Sequence, residues 1–261
     1  MSPLRTLLVT GGHPFEREPF LALFHDDPGL LVEHVEQPHS QRRLHPHRLG
    51  DVDVVVFYDM PGLTFTRGQP PLELVAPDAA VVDGFEALLE RGVPMVFLHH
   101  AIASWPTWPR FAEVVGGRFH YAPGPLWGEA WPDSGYLLDV HHTAQVVAPD
   151  HPICAGLPDE FELRDELYLI PPLLPGVTPL LRTTFPMSDE WFFSTTEAIS
   201  GRRGSRAGWS HPAGPDLLGW AHEVRASRVV YLQPGDGPAC FADRNYRRLV
   251  GNAIRWAALR S

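Results

Sequence analysis

The chain has 261 residues, a formal net charge of −10, and 21 basic side chains that are all arginine, since lysine occurs nowhere. The missing lysine closes Schiff-base chemistry with a carbonyl substrate or pyridoxal phosphate and removes the lysine of a phosphate-binding loop. The acidic balance, with no arginine run longer than the pairs Arg42–Arg43, Arg202–Arg203 and Arg247–Arg248, argues against a nucleic-acid groove or an anionic membrane surface.

A chain of this size can bury about three quarters of its unfolded surface in one core, so residues 1–261 are expected to form a single domain. Cys154 and Cys240 stand in no metal or redox spacing, and MSPLRTLLVTGG lacks the apolar stretch of a secretion signal. No apolar run approaches the roughly 20 residues that span a bilayer. These features predict a reduced, cytoplasmic protein.

In chain order, Leu4 to Thr10 is an apolar run that stops at Gly11-Gly12 and reads as a buried strand ending in a tight turn. Glu16 to His25 has helical spacing, Leu30 to Val35 suits a second strand, and the polar, histidine-rich stretch from Gln37 to Arg48 reads as a surface loop. Val52 to Tyr58 carries four valines and two aromatics without alternation, the pattern of a parallel strand covered on both faces. The stretch from Pro61 to Pro77 reads as a loop. Asp78 is placed to cap a helix whose stripe is Val81, Val82, Phe85, Leu88 and Leu89, with Gly92 ending it. Pro94 to Leu98 returns as a strand and Trp105 to Val115 as a helix closed by Gly116-Gly117.

Alternating strands and helices predict an α/β fold with a mostly parallel sheet and helices on both faces. The second half departs from that alternation. Tyr136 to Ala148 suits one or two antiparallel strands, and Pro171 to Pro215 reads as an irregular lobe. Leu217 to Val224 and Ser227 to Gln233 read as paired strands, and Asp243 caps a last helix that turns Tyr246, Leu249, Val250, Ala253, Ile254 and Ala257 inward.

Ligands of a parallel sheet bind beyond the carboxyl ends of its strands, which singles out His13, Asp59, the pair His99-His100, and Asp236. LHHAIAS follows a strand directly and precedes a helix, the setting of a nucleophile elbow, but its apex is histidine rather than serine or cysteine. Asp165-Glu166-Leu167-Tyr168 places two carboxylates beside a tyrosine, a set suited to acid–base work or to holding a cation. Alternation along YLLDVHHTAQVV sends His141 and His142 to opposite faces. Neither H-E-x-x-H nor H-x-x-E-H occurs, so any metal site must assemble from distant segments.

The segments VTGGHPF, DVVVFYDMPG, LHHAIASWPTW with VGGRFHY after it, HPICAGLPDEFELRDELY and RVVYLQPGDGPACFADRNYRRLVGNAIRWA together resemble the ThuA-like family, named for trehalose utilisation. The resemblance implies a flavodoxin-like fold of the class I glutamine amidotransferase type, with His99 where those enzymes carry the elbow cysteine. It also implies a link to disaccharide breakdown through keto-sugar intermediates. One departure is Gly235-Asp236, where the family often has Gly-His.

The function expected from this resemblance together with these residues is hydrolysis or elimination of a glycoside or keto-glycoside of a small-molecule carbohydrate, such as a disaccharide derivative, and not glutamine amide transfer. His99 or His100 would serve as base, and Glu166 or Asp165 as acid, with or without a divalent metal such as zinc. His13, Tyr58, Asp59, Trp105, Tyr168 and Asp236 are the expected substrate contacts, and Trp127 offers a further flat face. A non-catalytic sugar-binding or regulatory protein on the same scaffold is the alternative, and ester or amide hydrolysis by a metal-bound water a third. The oligomeric state stays open between monomer and homodimer.

Overall fold

The computed structural model describes residues 2–66 and 68–259. Its first half alternates as the apolar runs predict: β1 (Leu4–Gly11), α1 (Arg17–His25), β2 (Leu30–Glu36), the short helices α2 (His39–Arg43) and α3 (Pro46–Leu49), and β3 (Val54–Asp59). A hairpin of β4 (Leu63–Phe65) and β5 (Leu72–Leu74) precedes α4 (Ala79–Glu90), β6 (Met95–Leu98), a 3-10 turn over His99–Ala103, and α5 (Pro109–Val115). The second half holds the hairpin β7 (Gly124–Leu126) and β8 (Glu129–Trp131), then β9 (Gly135–Val146), β10 (Glu160–Leu169), β11 (Thr178–Thr183), β12 (Phe193–Ser194) and α6 (Thr195–Ile199). It closes with β13 (Leu217–Val224), β14 (Ser227–Leu232), α7 (Pro238–Ala242) and α8 (Arg244–Ala258).

The large sheet runs β10-β9-β11-β13-β14-β6-β3-β1-β2, with β12 paired to β9. Strands β14, β6, β3, β1 and β2 are parallel neighbours, whereas β13, β11, β9 and β10 join as antiparallel pairs. The parallel part is apolar on both faces because helices cover both: every residue of β3 is buried. One face packs Phe20 and Phe24 of α1 and Leu249, Val250 and Ile254 of α8 against Leu8, Val56 and Val96. The other packs Phe85 and Leu88 of α4 and Phe111 of α5 against Val55, Phe57 and Phe97. Each such side chain contributes about 1.5–3 kcal/mol by leaving water.

Four expectations need correction. The polar stretch from Gln37 to Arg48 folds into α2 and α3, and the proline-rich stretch from Pro61 to Pro77 contains the β4–β5 hairpin. Elements of three to five residues are too short to show a period. The helix expected from Trp105 begins only at Pro109, since Trp105 sits at φ 47. The lobe from Pro171 to Pro215 contains β11, β12 and α6.

Asp78 precedes α4 but its side chain makes no capping bond, whereas the Asp243 carboxylate accepts from the backbone N–H groups of Asn245 and Tyr246 at 2.8 and 2.9 Å. Asp243→Ala should therefore cost about 1 kcal/mol and lower the melting temperature by about 2–4 °C, while Asp78→Ala changes it by less than about 0.5 kcal/mol. Equal losses in thermal melts of the two variants would contradict this assignment.

Candidate active site

The carboxyl ends of β1, β3, β6 and β14 gather at one edge of the sheet, and the chain turns sharply at three of them. After β1, Gly11 and Gly12 adopt φ of 111° and 87°; a Cβ on Gly12 would lie 2.5 Å from the Met60 carbonyl oxygen, so this turn requires glycine. After β14, Gly235 adopts φ 131°, and a Cβ there would meet the Tyr246 hydroxyl at 2.4 Å. After β6 the turn is taken by His99 itself, at φ 48. A left-handed residue other than glycine is strained and must be held in place. The Tyr231 hydroxyl does this by donating to the His99 carbonyl oxygen at 2.9 Å.

His99 is fully buried, and its ring is oriented by Nδ1–H donating to the Gln233 carbonyl oxygen at 2.7 Å. That leaves Nε2 facing three groups: the Tyr168 hydroxyl at 2.7 Å, Glu166 Oε2 at 3.1 Å and Asp236 Oδ1 at 3.5 Å. Burial opposes a charge on the imidazole, but the Asp236 and Glu166 carboxylates outweigh it and hold the pKa of His99 well above its ordinary value. Burial likewise raises Glu166, with His99 working against it. Asp236 is held below its ordinary value, because His99 more than offsets its burial.

Glu166 reaches this cluster by an irregularity in β10. Burial alternates from Glu160 to Asp165, then the pairing with β9 shifts register between Asp165 and Leu167. This bulge turns Asp165 and Glu166 inward together, where a regular strand would send one of them outward. Their tasks then diverge. Asp165 accepts the backbone N–H groups of Gly235 and Asp236 at 2.6 and 3.0 Å and so clamps the loop after β14, while Glu166 faces the cleft. At the end of β10, the Tyr168 N–H donates to Gln233 Oε1 at 3.0 Å, which ties the strand to the same loop.

Above the cluster lies a cleft of about 520 Å³ bordered by Glu166, Asp236, Tyr168 and His13, with Phe65, Phe119, Tyr121, Tyr136 and Leu138 as apolar walls and Thr195 and Arg203 beside them. Phe65 and Leu138 are exposed at its mouth. The reactive-looking elbow histidine does not border this cleft. His99 lies beneath Glu166, Tyr168 and Asp236, which are the groups a ligand would meet.

The other residues singled out from the sequence fall into two groups. His13 borders the cleft, with its ring 4.5 Å from that of His100. His100, Tyr58, Asp59 and Trp105 do not border it. His100 is buried, and its Nε2–H donates to the Tyr58 carbonyl at 3.2 Å. Tyr58 stacks on Phe20 and donates its hydroxyl to the Gly235 carbonyl at 2.8 Å. Trp105 packs in the core with α4 and α5, and Trp127 lines a different cavity beside Arg118 and His120. His141 is exposed and His142 is buried against Thr183, away from the cleft. The cleft walls Phe119 and Tyr121 were within reach of the sequence, since both belong to the aromatic segment RFHY after Gly116-Gly117. Phe65, Tyr136 and Arg203 carried no comparable signal.

Asp59, paired with Gly11 across β1 and β3, is buried, and Gln37 Nε2 donates to it at 2.6 Å. Burial pushes its carboxyl from 3.8 up to about 7, against the hydrogen bond from Gln37. A folded pKa above the unfolded one favours folding below about pH 4, and that advantage is lost as pH rises toward 7. Asp59→Asn should therefore melt higher than the parent at pH 8, by several degrees, and within about a degree of it at pH 4. A difference that does not change with pH would contradict this.

Comparison with known proteins adds the following. The family model ThuA, described as trehalose utilisation, matches residues 18–257. No curated protein matches the chain. Among solved structures, a ThuA-like protein from Parabacteroides merdae ATCC 43184 superposes with a TM-score of 0.68 at 17% identity, covering 98% of this chain and 90% of that one. A ThuA-like protein from Bacteroides uniformis ATCC 8492 gives 0.61 at 19% identity, covering 98% and 92%. A cytoplasmic protein from Salmonella typhimurium gives 0.59 at 13% identity, covering 97% and 99%. At these identities the solved structures establish the shared α/β fold. Among the described residues, no helix is long and apolar enough to cross a membrane.

Proposed function

This chain belongs to the ThuA family, described as trehalose utilisation, and from that premise we propose that it processes a carbohydrate in the cleft above His99, by hydrolysis or elimination of a keto-glycoside. The observation that supports this most is convergence: Glu166 and Tyr168 of β10, Asp236 after β14 and His13 after β1, three separate segments, border one cleft whose walls are aromatic. Aromatic faces suit the apolar faces of sugar rings, and carboxylates accept sugar hydroxyls.

Elimination breaks the C–H bond beside the ketone and the C–O bond to the departing sugar, and forms a C=C bond between the two carbons. The carbon-bound proton needs an acceptor and the leaving oxygen a donor. His13 at the cleft wall is the acceptor in this scheme and the Tyr168 hydroxyl the donor. His99, covered by the groups that face the cleft, acts through them rather than on the sugar.

Burial of His99 also supports the other reading, a sugar-binding protein, because the elbow offers the cleft no nucleophile. Incubation with a 3-keto-glycoside, followed by thermal melting and by analysis for the released sugar, separates the two. Stabilisation with sugar release is the expected outcome. Stabilisation without release would identify a binding protein, and neither effect would contradict both readings.

A further inference from the structure

We infer that His99 Nε2, Glu166 Oε2 and Asp236 Oδ1 form the protein side of a site for a divalent first-row cation, manganese or zinc, at the floor of the cleft. One ligand atom from each residue lies within 4.8 Å of the others, and Nε2 stands 3.1 Å from Glu166 Oε2 and 3.5 Å from Asp236 Oδ1. Ligands about 2.1 Å from one metal ion are spaced roughly 3.0 Å apart at right angles and 3.4 Å apart at tetrahedral angles, so these separations suit three ligands on one face of a cation. Carboxylate oxygens with one imidazole nitrogen are a donor set that both manganese and zinc accept.

Two independent features point the same way. The Nδ1–H of His99 is committed to the Gln233 carbonyl oxygen, which turns Nε2 toward the carboxylates, the arrangement that metal-binding histidines show outside their ligand atom. The charges around that atom are also unbalanced. Asp165, Glu166 and Asp236 converge in a chain without lysine, and among the described residues none of the three carboxylates pairs with an arginine. The single imidazolium of His99 is the one cation these carboxylates share, which leaves the group with net negative charge at low exposure, and a divalent ion in place of the His99 proton would balance it. The inference rests on the proposed keto-glycoside reaction only for the ion's purpose there, which is to draw charge from the ketone oxygen as the neighbouring proton leaves. Binding itself does not depend on it.

The test is isothermal titration calorimetry of chelator-treated full-length protein with manganese(II) chloride and, separately, zinc chloride, accompanied by thermal melts. One ion should bind per chain with affinity on the order of micromolar or tighter and raise the melting temperature. Asp236→Asn and Glu166→Gln, which keep the side-chain shape, should each weaken binding at least about 10-fold, and His99→Ala should weaken it further. His45 and His47, whose rings lie 5.2 Å apart on the surface, could take up zinc on their own, so His45→Ala is the control and should leave manganese binding unchanged. Affinity in the millimolar range, or binding that persists in Asp236→Asn and Glu166→Gln, would overturn the assignment. If His99→Ala fails to fold, the two conservative variants still decide. Metal binding without sugar release contradicts the proposed reaction alone, and sugar release by metal-free protein that takes up no ion contradicts the metal site alone.

Discussion

Glu166→Gln should lower turnover of a 3-keto-glycoside by about 10²- to 10⁴-fold while changing the melting temperature by only a few degrees. Glu166 touches His99 Nε2 at 3.1 Å, nearer than Asp236 does, and like Asp236 it borders the cleft. Glutamine keeps the volume and one acceptor oxygen but removes the negative charge, whether that charge serves a cation or a proton. The fold should tolerate the change, because loss of the bond to His99 is offset by relief of the desolvation that raises the Glu166 pKa. His99→Ala is a harsher variant. It would leave the Gln233 carbonyl without its donor and two carboxylates without their shared partner. Turnover of Glu166→Gln within about threefold of the parent would remove Glu166 from the reaction.

Asp165→Ala should behave differently, losing stability and activity together. The Asp165 carboxylate accepts two backbone N–H groups, at Gly235 and Asp236, and the variant leaves both in the interior with no partner. Each orphaned buried donor costs about 1–3 kcal/mol, so a loss of about 2–5 kcal/mol and a fall of roughly 5–15 °C in melting temperature are expected. Release of the loop also frees Asp236 from its place beside His99. Asp165 is thus a positioning residue, although its place next to Glu166 in the sequence suggested an equal partner in catalysis. Asp165→Asn keeps one acceptor oxygen and should fall between the parent and Asp165→Ala in both measurements. Unchanged stability in Asp165→Ala would contradict the clamp.

The contrast between these two neighbours shows where the sequence could and could not be read. Val54 to Asp59 was legible because a strand buried on both faces needs an unbroken apolar run, and residues beyond Val54 carry one. His99 was legible as an elbow because an apolar strand, a polar turn and a following helix occur in direct succession. The inward turn of both Asp165 and Glu166 was not legible. It depends on a register shift set by the partner strand β9, and local alternation predicts one carboxylate in and one out. The burial of His99 under Tyr168 was equally out of reach, since it arises from β10 returning to the loop after β14 from the far edge of the sheet. Tyr58 and Trp105 looked like sugar platforms by type alone, and both are packed in the core. Asp236 stands where a histidine was expected from the family resemblance, and its carboxylate 3.5 Å from His99 Nε2 gives the cluster its second negative ligand atom.

The absence of lysine belongs to the same picture. Without lysine, and with Cys154 and Cys240 both buried, the cleft is left with histidine, carboxylate and phenol groups for its chemistry, beside the Thr195 hydroxyl and the Arg203 guanidinium. That restriction makes the proposed reaction sharply testable, since few side chains remain to carry it.

The most direct measurement is proton NMR of a 3-keto-glycoside incubated with a stoichiometric amount of the parent protein and, in parallel, with Glu166→Gln, so that a single turnover is visible. Loss of the signal of the proton beside the ketone together with appearance of the free leaving sugar in the parent sample, and neither change with Glu166→Gln, is the predicted result. An unchanged spectrum in the parent sample, with or without added manganese, would contradict the assignment of sugar chemistry to this cleft, and equal conversion by both proteins would remove Glu166 from the reaction.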